Sequence, residues 1–176
     1  MLLNKLIPTC FHPGTDIEDQ GIQVKFSPNP DEKILFFEID DQTNDNSPFR
    51  RSLGFTGAIC DGLLYYYKYN KAKSYVEAGT QRHQREINQT VVCLIELKGS
   101  DIDYAAEQII NTCRFIKKHY SNKKCQPEKF KAYICTNISA LDNSIEAEER
   151  LISCFGKDNY DIDEYEDISD FVRPEN

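Results

Sequence analysis

Val91-Val92-Cys93-Leu94-Ile95-Glu96-Leu97-Lys98-Gly99 is a run of β-forming residues that ends in a carboxylate and an ammonium on alternate positions. Strand side chains repeat every two residues, so Glu96 and Lys98 project from one face with Val92 and Leu94. Cys93, Ile95 and Leu97 project from the other. Opposite charges side by side at the end of an apolar strand either pair with each other or serve a site.

Working outward, Gly99-Ser100 turns the chain into a helix expected over about 101–120. Ser100 reads as its N-cap, with Asp101 and Asp103 in the first turn and Lys117, Lys118 and His119 in the last, as the helix dipole favours. Ile102, Ala105, Ala106, Ile109, Ile110, Cys113 and Ile116 recur at helical spacing as one apolar stripe, and Gln108 falls on its flank. Upstream, the segment from Ile59 to Tyr67 reads as a strand with Asp61 near its start, on the face of Leu63, Tyr65 and Tyr67. Ile34 to Asp40 reads as another. Downstream, Phe130 to Cys135 makes a strand, and a helix follows from about Ser144 to Phe155 with Asp142 or Asn143 as its cap.

The first 32 residues read as irregular: Pro8 cuts short the apolar start, and only residues 21–26 suit a short edge strand. Residues 41–57 have loop composition, with Arg50-Arg51 inside. In the tail, Ile162, Tyr165, Ile168 and Phe171 suit either a short amphipathic helix or an edge strand. Strands, a helix, a strand and a helix in that order predict an α/β or α+β sheet domain.

At 176 residues the chain suits a single domain, with a core over about 33–156 and an acidic C-terminal extension over 157–176. No run of about 18 apolar residues is present, and the start lacks the pattern of a signal peptide. The expected location is cytoplasmic and the expected role has no membrane in it. The cysteines, at 10, 60, 93, 113, 125, 135 and 154, stand singly without a C-x-x-C, which suits core thiols in a reducing compartment. A net charge of −8 argues against broad adhesion to nucleic acid. The distribution is two-sided, however. Lys68, Lys71, Lys73, Arg82 and Arg85 cluster between the two central strands, and acidic residues crowd 158–170, where a basic protein partner is one expectation.

Asp61 in one strand, Glu96-Leu97-Lys98 ending the next, and Gln108 in the helix that follows resemble the PD-(D/E)XK nuclease superfamily over about residues 58–136. The resemblance implies a restriction-endonuclease-like fold, a mixed central sheet flanked by helices. It implies a metal-dependent nuclease that hydrolyses phosphodiester bonds, with DNA ahead of RNA as substrate, of the kind found in phage defence or DNA repair. Asp61, Glu96 and the Leu97 backbone carbonyl would hold Mg²⁺ or Mn²⁺. Lys98 would orient the attacking water or stabilise developing charge, and Gln108 would hold the lysine or the water. Such a hard cation needs only oxygen ligands and keeps several waters, so carboxylates on adjacent strands suffice. No proline precedes Asp61, and no helix is read before it to supply the superfamily's additional Glu, for which Glu38 is the nearest stand-in.

Plainer readings stand beside these. Glu96 and Lys98 suit a same-face ion pair, Asp61 a strand-entry turn, and Gln108 a surface amide. A catalytically inactive nuclease-like protein that docks a basic partner through its acidic surface is the alternative function. Oligomeric state is open, a homodimer included.

Overall fold

The computed structural model describes residues 3–19, 21–40, 47–70, 87–119, 127, 129–136 and 145–174. In chain order these form α1 (Leu3–Cys10), β1 (Phe11–His12), β2 (Asp16–Asp19), β3 (Ile22–Lys25), β4 (Glu32–Glu38), α2 (Pro48–Leu53), β5 (Gly62–Asn70) and β6 (Ile87–Lys98). After these come α3 (Ile102–His119), β7 (Lys129–Thr136), α4 (Ile145–Phe155), β8 (Tyr160–Asp163) and α5 (Ser169–Val172). A six-stranded sheet has the order β1-β4-β5-β6-β7-β8, and β2 and β3 make a separate hairpin. β4, β5 and β6 are an antiparallel meander; β7 and β8 then add in parallel, reached through α3 and α4. The fold is the expected mixed central sheet flanked by helices.

β6 is central because both of its faces are apolar. Val92 and Leu94 pack with Leu6, Phe37, Phe49, Ile109 and Leu151 under the helices α1 to α4. Val91, Cys93, Ile95 and Leu97 pack on the opposite face with Ile17, Val24, Phe26 and Val172, under the hairpin and α5. A strand covered on both sides reads as a continuous apolar run, as this one does.

Several local expectations change. A helix, α1, runs through Pro8; Leu6 and Cys10 are buried by it, and the Thr9 hydroxyl donates to the Lys5 carbonyl at 2.6 Å. Pro8 costs this helix the N–H that would have met the carbonyl of residue 4 and crowds that carbonyl with its ring, and the burial of Leu6 and Cys10 offsets the cost. A second helix, α2, occupies part of the expected loop. Ser47 caps it by accepting from the Arg50 N–H, Pro48 opens it, and Gly54 closes it in the left-handed region at φ 69°. In α3 the cap is Asp101 rather than Ser100, since Asp101 Oδ1 accepts from the Tyr104 N–H at 3.0 Å. β5 starts at Gly62, not at Ile59. The expected caps Asp142 and Asn143, and Lys71, Lys73, Arg82 and Arg85 of the basic cluster, lie outside the described residues. Lys68, which is described, faces Asp31 at 3.7 Å.

The acidic tail is not an extension. Both of its expected forms occur in succession, with β8 as the edge strand beside β7 and α5 burying Ile168 and Val172 at its start and end. The Tyr133 hydroxyl donates to the Tyr165 carbonyl at 2.6 Å, and the buried Lys131 ammonium donates to the Phe171 carbonyl. Arg173 grips the buried Glu32 carboxylate with two hydrogen bonds of 3.0 Å, and Tyr66 and the Asn29 N–H donate to the same carboxylate. Glu166, Asp167 and Asp170 are likewise engaged with Lys25, Ser27 and Arg173. Among the described residues, no helix is long and apolar enough to cross a membrane.

Candidate active site

β4 and β6 end, and β5 begins, at one edge of the sheet, where Glu38 pairs with Gly62 and Gly62 with Ile95. Just past this row the chain places Asp40, Asp61 and Glu96. Asp61 stands before the first residue of β5, so its backbone is held by other means. Its carbonyl accepts from the Ile39 and Asp40 N–H groups at 2.8 and 3.3 Å. The Asp61 N–H donates to Glu96 Oε2 at 3.2 Å, and the Leu97 N–H donates to Asp61 Oδ2 at 2.7 Å. Each acidic side chain thus bonds the main chain of the segment that carries the other, and this reciprocal clamp fixes the two carboxyls together. The N–H and carbonyl of one strand residue point the same way, so the Leu97 carbonyl also faces the gap that β5 leaves.

Both carboxyls are buried. Burial pushes Asp61 up to about 6; the Leu97 N–H opposes this, and the charges of Asp19 and Asp40 add to it. Burial, followed by the charge of Asp61, pushes Glu96 up to about 9 against the pull of Lys98. Crowded, half-desolvated carboxyls of this kind hold a proton when no cation neutralises them. Asp61 and Leu97 line a cleft of about 500 Å³, together with Glu18, Asp19, Glu38 and Asp40; Glu96 lies behind them at 1% exposure. The donors are all oxygens, which suits a small hard cation. Among the described residues no three Asp, Glu, His or Cys side chains converge at ligand spacing.

Lys98 is half-exposed, and among the described residues it makes no ion pair with Glu96 or any other carboxylate. Its ammonium lies over the Tyr104 ring, 4.9 Å from the centroid. Nothing in the local pattern marks Tyr104 as the partner of Lys98, although it stands two residues into α3, the helix that follows the strand carrying Lys98.

Gln108 is buried, not on the surface, and it does not hold the lysine. Its Nε2 donates to the Ile59 carbonyl at 2.7 Å, while its Oε1 has no partner among the described residues. One turn on, the Thr112 hydroxyl donates to the Gln108 carbonyl at 2.7 Å and accepts from the Cys60 N–H at 3.1 Å. Gln108 and Thr112 therefore grip the two residues before Asp61, which explains why that segment needs no strand partner. Thr112 was legible only as the neighbour one turn from Gln108 on the same helix face. Glu18 and Asp19 arrive from the hairpin, whose Ile17 Cδ1 packs where a Cβ at Gly62 would stand. Nothing in the local sequence marks them as neighbours of Asp61. Arg50 is engaged with Asp40 at 3.8 Å and with the Gly57 carbonyl at 2.5 Å.

The chain matches no protein-family model, no curated protein and no solved structure.

Proposed function

We propose that the protein is a divalent-cation-dependent nuclease of the PD-(D/E)XK type, hydrolysing phosphodiester bonds in nucleic acid. The observation that carries this reading is the reciprocal clamp between Asp61 and Glu96, at the ends of adjacent antiparallel strands, with Lys98 beside them and free of a partner carboxylate among the described residues. Asp61, Glu96 and the Leu97 carbonyl would hold Mg²⁺ or Mn²⁺. A cation held there polarises a phosphoryl oxygen and acidifies a bound water. Lys98 brings a positive charge to where negative charge develops on phosphorus, and the Tyr104 ring keeps its ammonium from wandering. Gln108 and Thr112 keep the Asp61 segment in place.

Labelled single- and double-stranded DNA and RNA, incubated with the protein in Mg²⁺, Mn²⁺ or EDTA, test this reading. Cleavage of at least one substrate with either metal and none in EDTA is the expected result; no cleavage of any substrate under any condition overturns it. The second reading, a catalytically inactive relative that binds a basic partner, has one observation in its favour. The carboxylates of Glu18, Asp19, Glu38 and Asp40 line the same cleft and repel a phosphate backbone unless a cation intervenes.

A further inference from the structure

Phe11 follows α1 directly and belongs to the two-residue edge strand β1. In register it faces Phe37, and the two rings meet edge to face, their centroids 6.3 Å apart and their planes at 68°. Phe37 is fully buried, but Phe11 is 45% exposed. An apolar ring at the surface is ordinary by itself. This one lines the cleft of about 500 Å³ that Asp61 and Leu97 also line. Of the exposed aromatic residues among those described, Phe11, Tyr104 and Tyr165, it is the one in the cleft. Around it the walls are acidic, with Glu18, Asp19, Glu38 and Asp40. Glu38 lies 3.6 Å from His12 and Asp40 lies 3.8 Å from Arg50, so both carboxylates are tethered at the wall.

Resting on the nuclease reading of this site, we infer that Phe11 is a stacking platform for an unpaired nucleobase, and that the substrate is a single strand. Three properties of the cleft lead there. The Phe37 contact holds the Phe11 ring from one side and leaves the rest of it to a flat partner. Stacking of that kind accepts any base, because every base has a π-face. The wall carboxylates repel phosphates, and they accept hydrogen bonds from the N–H and amino groups on base edges. The cleft therefore suits the base of a nucleotide, while the phosphate is left to the cation proposed at Asp61 and Glu96. Its volume is that of a pocket for one small molecule, which one nucleotide fits and a double helix does not. A paired strand keeps its base faces stacked inside the helix. It offers Phe11 nothing until a base is extruded, and unstacking opposes that step.

The test uses the full chain with Ca²⁺, which takes oxygen ligands and is a weaker Lewis acid than Mg²⁺, so that binding is read without cleavage. Fluorescence anisotropy of labelled single-stranded DNA and RNA should show binding of at least one, with the same strand in a duplex held at least about tenfold more weakly. Phe11→Leu keeps an apolar side chain against Phe37, so the fold stands. It is expected to weaken single-strand binding by roughly 10- to 100-fold, and Phe11→Tyr to preserve it. A bound strand substituted with 5-iodouracil, which photo-cross-links to a ring that it stacks on, should join to Phe11 in the wild type. Binding unchanged in Phe11→Leu, a duplex held as tightly as the single strand, or no binding of either overturns the inference. Cleavage in Mg²⁺, measured on the same strands, separates the two readings. Duplex cut in preference to single strand overturns the single-strand inference and leaves the nuclease reading standing. Cross-linking at Phe11 without cleavage of any substrate does the reverse.

Discussion

Glu96→Ala is expected to lower metal-dependent cleavage by on the order of 10³-fold or more, and Lys98→Ala to lower it comparably, but for different reasons. On the proposed reading Glu96 supplies a ligand, and it is also half of the clamp, since its Oε2 accepts from the Asp61 N–H. Its removal weakens metal binding and also loosens Asp61. Lys98 is neither a proposed ligand nor part of the clamp, so Lys98→Ala is expected to leave the metal site intact and to remove only charge stabilisation at phosphorus. Raising Mn²⁺ should therefore recover part of the activity of Glu96→Ala and none of that of Lys98→Ala. Lys98 is half-exposed, so its substitution is also the safer one for the fold. Steady-state cleavage across a metal titration reads both effects, and wild-type activity in both variants would dispose of the assignment.

Glu32→Ala is expected to cost about 3 kcal/mol of stability, which in a chain of this size is a fall of roughly 5–10 °C in melting temperature. Glu32 is buried under four donors, two of them from Arg173. Its loss leaves the Tyr66 hydroxyl without its acceptor, leaves the Arg173 guanidinium only Asp170 and the Ser27 carbonyl, and unties the C-terminal segment from β4. The figure is at the low end for a buried pair because the Arg173 side chain is 24% exposed. The acid limb follows the same residue. Burial pushes the Glu32 carboxyl up, but Arg173, the Asn29 N–H and Tyr66 outweigh it and hold the group at about 2, against 4.5 in the unfolded chain. A depressed carboxyl stabilises the fold fully above its unfolded value, and that stability is lost as pH falls from about 4.5 towards 2. Asp61 and Glu96 act with the opposite sign. Their raised values make the metal-free fold less stable as pH rises from about 4 to about 6 for Asp61 and to about 9 for Glu96. Melting curves of wild type and Glu32→Gln should therefore converge as pH falls towards about 2 and separate above about 5; a constant difference across that range contradicts the assignment.

The parts of the fold legible in the sequence were those whose burial leaves a long pattern. β6 announces itself because both faces of Val91 to Leu97 are covered, and α3 because its stripe recurs over five turns. α2 has only six residues, too few for a period, although its Ser47-Pro48 start and Gly54 stop were signals in plain view. α1 was hidden by Pro8, where burial of Leu6 and Cys10 overrides a local preference. The conspicuous charges of the tail suggest an acidic extension, yet Ile168 and Val172 bury and Glu166, Asp167 and Asp170 find internal partners. Within the candidate site, strand parity put Glu96 and Lys98 on one face, and the order of elements brought Asp61 beside Glu96. Parity says nothing about the ends of strands, however. It gave no sign that Gln108 reaches the Ile59 carbonyl, that Tyr104 takes the Lys98 ammonium, or that the hairpin carries Glu18 and Asp19 into the cleft. Those contacts are tertiary, and no local spacing encodes them.

The central claim is that Asp61 and Glu96 hold one divalent cation between them. Titration of the protein with Mn²⁺, with free ion followed by its paramagnetic resonance signal, tests it without reliance on any substrate. One saturable site is expected in the wild type, weakened at least tenfold in Asp61→Asn and retained in Lys98→Ala. Equal binding by wild type and Asp61→Asn, or no binding by either, would contradict it.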